Sequence, residues 1–225
     1  MTTRLYLIRH GATPASAEDR FSGSIDIDIS DEGRRQAEAL SLRLADESIS
    51  AIYCSPMRRT VETAEIIARP HGIAPERHDE LREIDHGHWE GKLRSEVETQ
   101  YANEYAAWSE DPFTFAPGGG ESGVSVLARA LPLIRKVVAA CPDGNVAVVS
   151  HKATIRLLIS SLLGFDPRGY RDRLDMQPCC LNILDFKDPV RARLMLFNDV
   201  SHYVGEPTRS TNRLSKWWDT APSSD

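Results

Sequence analysis

Three short apolar stretches of this chain end abruptly in polar residues, and that pattern constrains the fold more than any other feature. Residues 5–8 run into Arg9, His10 and Gly11. Residues 51–54 run into Ser55 and Pro56, with Arg58 and Arg59 just beyond, and residues 145–149 run into Ser150 and His151. Stretches this short, rich in β-branched and other apolar residues without alternation, read as strands buried on both faces, as in a parallel sheet. Helical patterns follow them. Ser30-Asp31-Glu32-Gly33 precedes Ala37, Leu40 and Leu44 on a helical period, so Ser30 is the expected N-cap of a helix reaching about Asp46. Val61, Ala64, Ile67 and Ala68 predict a helix over 58–68 that Pro70 stops, and residues 154–163 predict another. Strand followed by helix, repeated, argues for an α/β fold whose parallel strands deliver their polar tips to one edge, where open α/β sheets bind their ligands.

The remaining segments fit around that frame. A chain of 225 residues suits one α/β domain, expected over 1–204, with an insertion. Residues 81–123 hold the fewest apolar side chains and the run Pro117-Gly118-Gly119-Gly120, so they read as an insertion over the site, carrying a helix over 94–108. Residues 124–140 are helix-like despite Pro132, which predicts a kink or a late helix start. Two further strands, 181–186 and 193–197, fit a hairpin across 187–189. From residue 205 the tail is polar apart from Trp217 and Trp218, a pair read as packing, and no fold is assigned to it.

Composition narrows the function. With 41% hydrophobic and 27% charged residues the chain can bury a sizeable core. Lys and Arg number 27 against 33 Asp and Glu, with no basic run, which argues against a nucleic-acid partner and requires any functional positive charge to be gathered in a pocket. The apolar start is too short for a signal-peptide core or a membrane span, so a cytoplasmic protein without a membrane partner is expected. Cys54, Cys141, Cys179 and Cys180 contain no Cys-x-x-Cys pair and read as reduced core residues.

Convergence of the strand tips would place two histidines and at least two arginines together. Guanidinium forks bind phosphate oxygens bidentately and stay charged at any working pH. A neutral histidine nitrogen among them can attack phosphorus, provided its other nitrogen is held by a hydrogen bond. Blander readings stand beside this one. Histidines at strand ends are commonly structural hydrogen-bonders, Arg58 and Arg59 can be solvated helix charges, and Glu83 can be a surface carboxylate. His86 and His88, two apart beside Asp85, have a spacing that can ligate a metal, although spacing places no third and fourth ligand.

The sequence Leu7-Ile8-Arg9-His10-Gly11-Ala12-Thr13 resembles the signature of the histidine phosphatase superfamily, also called phosphoglycerate mutase-like. The resemblance continues in family order through Arg20-Phe21-Ser22-Gly23, Ser55-Pro56-Met57-Arg58-Arg59-Thr60, Leu81-Arg82-Glu83-Ile84-Asp85, Gly119-Gly120-Glu121-Ser122 and Val148-Val149-Ser150-His151, spanning roughly 5–165. It implies a three-layer α/β/α sandwich with a mostly parallel central sheet and a helical insertion over the active site. By the same resemblance His10 is the phosphorylated nucleophile, Arg9, Arg59 and His151 form the phosphate pocket, and Glu83 is the proton donor. Ser22 and Gly23 fall where the family binds phosphate through a side chain and adjoining backbone, and Arg58 stands between substrate contact and surface. Ser16 replaces a frequent asparagine and Lys152 a frequent glycine, both at substrate-binding positions. No metal or cofactor is implied. The expected activity is hydrolysis of a small phosphorylated metabolite, the alternatives being a phosphoglycerate-type phosphomutase and a non-catalytic phospho-ligand binding protein. The absence of Lys and Arg from 96–115 and the run Glu83-Ile84-Asp85-His86-Gly87-His88-Trp89-Glu90-Gly91 resemble the phosphatase branch. Lys92, Arg94, Lys152 and Arg156 are the candidates for a second anionic group of the substrate, and the assembly is open between monomer and homodimer.

Overall fold

The structure is a computed structural model that describes residues 2–14 and 20–203; Ser16, Trp217 and Trp218 lie outside the described residues. Six strands form one sheet in the order β3-β2-β4-β1-β5-β6. They are β1 (Thr3–Arg9), β2 (Ile49–Cys54), β3 (Glu76–Arg77), β4 (Asn145–Ser150), β5 (Leu181–Phe186) and β6 (Ala192–Asp199). β1, β2, β3 and β4 run parallel, and the hairpin of β5 and β6 adds two antiparallel strands beside β1. Register sets Ile8 opposite Val149 and Cys54 opposite the same residue, so the tips of β1, β2 and β4 end at one level.

Successive residues of β1 face opposite sides of the sheet, and each side is apolar. Leu5 and Leu7, with Val146 and Val148, pack against Ala130, Ile134 and Val137 of helix α5 (Gly123–Ala140) and Ile155, Leu158 and Ile159 of α6 (Lys152–Leu163). Tyr6 and Ile8, with Ala147 and Val149, pack against Ala37 and Leu40 of α1 (Asp31–Leu44) and Ala64 and Ile67 of α2 (Arg58–Ala68). A sheet buried on both faces between two pairs of helices is the three-layer α/β/α arrangement.

Local chemistry sets the helix ends. Ser30 caps α1, its hydroxyl accepting from the Gly33 amide at 3.1 Å, and Ser122 caps α5 through the Ser125 amide at 3.2 Å. α5 therefore starts at Gly123 and runs through Pro132, which excludes a late start at the proline. The single helix expected over 94–108 is two, α3 (Arg94–Gln100) and α4 (Ala102–Glu110), because Tyr101 leaves the helical region at φ −127° and ψ 42°. Its ring packs edge-on against His88, with centroids 4.6 Å apart.

The 81–123 segment is held by a largely aromatic hydrophobic cluster of Phe21, Trp89, Val97 and Trp108, with Tyr101, Tyr105 and Phe115 at its rim. A short helix α7 (Tyr170–Arg173) follows α6. No helix among the described residues is long and apolar enough to cross a membrane.

Candidate active site

His10 leaves the end of β1 with its backbone amide bonded to the Ser150 carbonyl at 3.0 Å, and the Ser55 amide bonds the Val149 carbonyl at 3.1 Å. These bonds extend the parallel ladder one residue past the strands and draw the three polar tips together. The chain beyond His10 crosses the first turn of α1 backbone against backbone. A Cβ on Gly11 would lie 2.6 Å from the Gly33 carbonyl oxygen, and one on Gly33 would lie 2.2 Å from that of Ala12. Only glycine permits this approach, and it fixes the loop that carries His10.

Nδ1 of His10 lies 2.8 Å from the Gly11 carbonyl oxygen. A carbonyl only accepts, so Nδ1 carries the proton and Nε2 keeps its lone pair. Burial first, then the charges of Arg59 and Arg9, hold the imidazole well below the ordinary histidine range. The ring is neutral at physiological pH.

His151 sits behind this ring, their centroids 5.3 Å apart. Its Nδ1 accepts from Nε of Arg59 at 3.2 Å, so its Nε2 donates to the Ser55 hydroxyl at 2.9 Å. Burial and the Arg59 charge push it well below the usual histidine pKa as well. With both nitrogens engaged and the side chain fully buried, His151 does not line the cavity. It braces Arg59 at Nε and packs edge-on against the His10 ring.

Arg59 itself reaches the cavity while Nη1 donates to the Ile25 carbonyl at 2.7 Å and Nη2 to that of Gly23 at 2.8 Å. Arg9 is tethered by one bond, Nη1 to the Met176 carbonyl at 2.7 Å, and its buried Nε has no hydrogen-bond partner. Arg58, one residue from Arg59, points outward to Asp28 at 2.5 Å with its side chain 62% exposed. The helical turn at the start of α2 sends the two neighbours in different directions, and Arg58 is not among the residues lining the cavity. Ser22 lines the cavity and Gly23 does not; the Gly23 amide is taken by Glu90 Oε1 at 3.0 Å.

Glu83 is fixed at the mouth of α6. Its Oε1 accepts from the Ile84 amide at 3.0 Å and from the Thr154 amide and hydroxyl, both at 3.1 Å, and its Oε2 accepts from the Ala153 amide at 3.0 Å. The backbone behind it is clamped by Arg129 of α5, which donates to the carbonyls of Glu80, Arg82 and Glu83 at 2.7, 2.8 and 3.1 Å while paired with Glu121. Nothing local in the sequence separates Arg129 from a solvated helix charge.

A cavity of about 180 Å³ opens here, lined by Arg9, His10, Arg59, Glu83 and Lys152, and also by Arg156, Tyr170 and Arg171. Lys152 is held well below the usual lysine pKa by burial and by the charges of Arg156 and Arg9. A protein of net charge −6 thus gathers cations in one pocket, the footprint of an anionic ligand. Lys92 and Arg94 do not line it.

His86 and His88 face different neighbours. His86 lines the cavity and packs edge-on against Phe21 at 4.9 Å, whereas His88 lies between the Gly118 carbonyl, 2.9 Å from Nδ1, and Glu104, 3.1 Å from Nε2. Among the described residues no group of three or more His, Cys, Asp or Glu side chains is arranged to hold a metal. Tyr170 and Arg171 leave no periodic signal in the sequence, because α7 is four residues long.

Known proteins resemble this chain in sequence and fold. Phosphoserine phosphatase 1 of Hydrogenobacter thermophilus is 36% identical over 163 residues, covering 72% of this chain and 77% of the relative. Glucosyl-3-phosphoglycerate phosphatase of Mycolicibacterium vanbaalenii is 37% identical over 168 residues, covering 72% and 74%. The solved structure of a mycobacterial glucosyl-3-phosphoglycerate phosphatase superposes with a TM-score of 0.80 at 31% identity, covering 88% of this chain and 99% of that one. A sequence profile of the histidine phosphatase superfamily, branch 1, matches residues 5–200. With its sequence matched over 5–200 and its fold shared with a solved phosphatase, the chain belongs to the histidine phosphatase superfamily.

Proposed function

We propose that the protein is a phosphomonoesterase that hydrolyses a small phosphorylated metabolite through a phosphohistidine at His10. The observation that carries this reading is the state of His10: neutral, Nδ1–H fixed on the Gly11 carbonyl, Nε2 unprotonated, in a cavity lined by Arg9 and Arg59. A nucleophile needs that lone pair, and the transferring phosphoryl group needs the surrounding positive charge.

In the first step Nε2 attacks phosphorus, the P–N bond forms and the P–O bond to the leaving group breaks. Glu83 in its acid form passes a proton to the departing oxygen. In the second step Glu83, now a carboxylate, takes a proton from water, whose oxygen attacks phosphorus. The P–N bond breaks and inorganic phosphate leaves. Arg9, whose Nε has no protein partner, and Arg59 face the phosphoryl oxygens through both steps. His151 acts indirectly, holding Arg59 at Nε and Ser55 at the sheet edge. The cavity is smaller than the roughly 300–1,000 Å³ usual for drug-sized ligands, which fits a small metabolite or the phosphorylated end of a larger one.

Because the fixed guanidinium groups of Arg9 and Arg59 supply the charge stabilisation, the reaction needs no metal ion. The purified protein should release inorganic phosphate from phosphate monoesters at an unchanged rate after exhaustive treatment with EDTA. A rate that collapses and returns only with zinc, manganese or magnesium would overturn this part of the reading. Failure to release phosphate from any ester, with or without metal, would overturn the whole.

A further inference from the structure

The proposed chemistry uses Arg9, His10, Arg59 and Glu83, yet the same cavity is lined by three more guanidinium groups that this chemistry leaves idle: Arg20, which is bonded to the Gly91 carbonyl, and the buried pair Arg156 and Arg171. Arg156 comes from α6, one turn beyond Lys152, and Arg171 comes from α7. Their side chains are each only 4% exposed. Buried arginines are ordinarily saturated with hydrogen bonds, because an unpaired buried donor forfeits its hydration. These are not. Nε and Nη2 of Arg156 and Nε and Nη1 of Arg171 have no hydrogen-bond partner. Arg171 is locked in place all the same: its guanidinium lies over the Trp108 ring at 4.4 Å and Nη2 donates to the Ser109 carbonyl at 3.0 Å. Two oriented, under-bonded cations beside the proposed phosphate pocket are a built receptor for an anion.

The local charge balance narrows the kind of anion. Arg156 lies 3.6 Å from a carboxylate oxygen of Asp175, and Arg171 lies 3.5 Å from one of Asp172. Each guanidinium therefore already shares one negative charge. What remains suits a single further charge spread over two oxygens, which a guanidinium fork matches, better than a second phosphate dianion.

We infer that Arg156 and Arg171 form a carboxylate-binding subsite, so that the preferred substrate is a small phosphate monoester carrying a carboxylate near the phosphate. This inference rests on the phosphatase reading above and deepens it. Recognition works through oriented donors that an uncharged analogue leaves unpaired, so the penalty falls on the analogue lacking the carboxylate.

Matched pairs test it directly. Phosphoserine and phosphoethanolamine differ only by the carboxylate, and 3-phosphoglycerate and glycerol 3-phosphate differ by a carboxylate in place of a hydroxymethyl group. The wild-type protein should favour the carboxylate-bearing member of at least one pair by roughly ten- to a hundredfold in kcat/KM, the scale of hydrogen bonds to charged groups. Arg171→Gln, checked for folding by circular dichroism, should shrink that ratio toward one, and Arg171→Lys should restore part of it. The wild-type comparison needs no variant, so a variant that fails to fold leaves the inference open to refutation. Turnover of both members of both pairs at equal kcat/KM would overturn the subsite while leaving the phosphatase reading intact. Preference for 2,3-bisphosphoglycerate over both carboxylate monoesters would replace it with a second phosphate site. Turnover of none of these esters, nor of p-nitrophenyl phosphate, would overturn the reading on which it rests.

Discussion

Glu83 shows how much of a residue's role is written by its neighbours. Four donors fix its carboxyl at the start of α6, so its position relative to the cavity is set without help from substrate. If it delivers a proton to the leaving oxygen, the benefit is largest for poor leaving groups, typically a hundredfold or more. Glu83→Gln keeps the size but loses the proton. Single-turnover rates should fall little with p-nitrophenyl phosphate and about a hundredfold more with an alkyl phosphate such as glycerol 3-phosphate. Equal losses on both would assign Glu83 to positioning alone. The motif order in the sequence made Glu83 legible, as it did His10, Arg9 and Arg59. It did not reveal that His151 has both nitrogens engaged or that the Gly23 amide is taken by Glu90, because those facts depend on side chains that meet only in the folded chain.

At the scale of elements, strands and helices were readable wherever a face is continuously apolar. β1, β4, α1 and α2 fall at or within two residues of their expected bounds because burial on both sides of the sheet leaves a dense apolar signal. The reading weakened where tertiary contacts decide: Tyr101 breaks the helix in the 81–123 segment, and α7 is too short for a period. The contact between β1's outgoing loop and α1 is another such feature, visible in sequence only as Gly11 and Gly33. Gly33→Ala sets a Cβ against the backbone of Ala12, where no flexible side chain can yield. It should cost about 1–3 kcal/mol in urea unfolding and lower kcat/KM by displacing the loop that carries His10. Full stability and full activity in that variant would show that the close approach is not needed.

Considered whole, the molecule concentrates neutral histidines and confined cations at one sheet edge, and its stability must carry the cost. Burial, more than any neighbouring charge, depresses the pKa of His10, His86 and His151. As pH falls through about 6.5 the unfolded chain takes up a proton on each while the folded chain does not, so stability falls with pH by about 1.4 kcal/mol per unit for each histidine until its folded pKa is reached. Urea unfolding between pH 8 and pH 5 should show a plateau above 7 and a decline below 6.5. A flat profile across that window would mean that these imidazoles are solvated. The account turns, in the end, on whether the phosphoryl group passes through His10. Rapid mixing with a phosphorus-labelled ester, quenching in base and mapping of the labelled peptide is the most direct measurement. The expected result is label on His10, stable in base and labile in acid, with His10→Ala losing both label and turnover to below about a thousandth of the wild-type rate. Label on any other residue, or a His10→Ala protein that still turns over above that level, would contradict it.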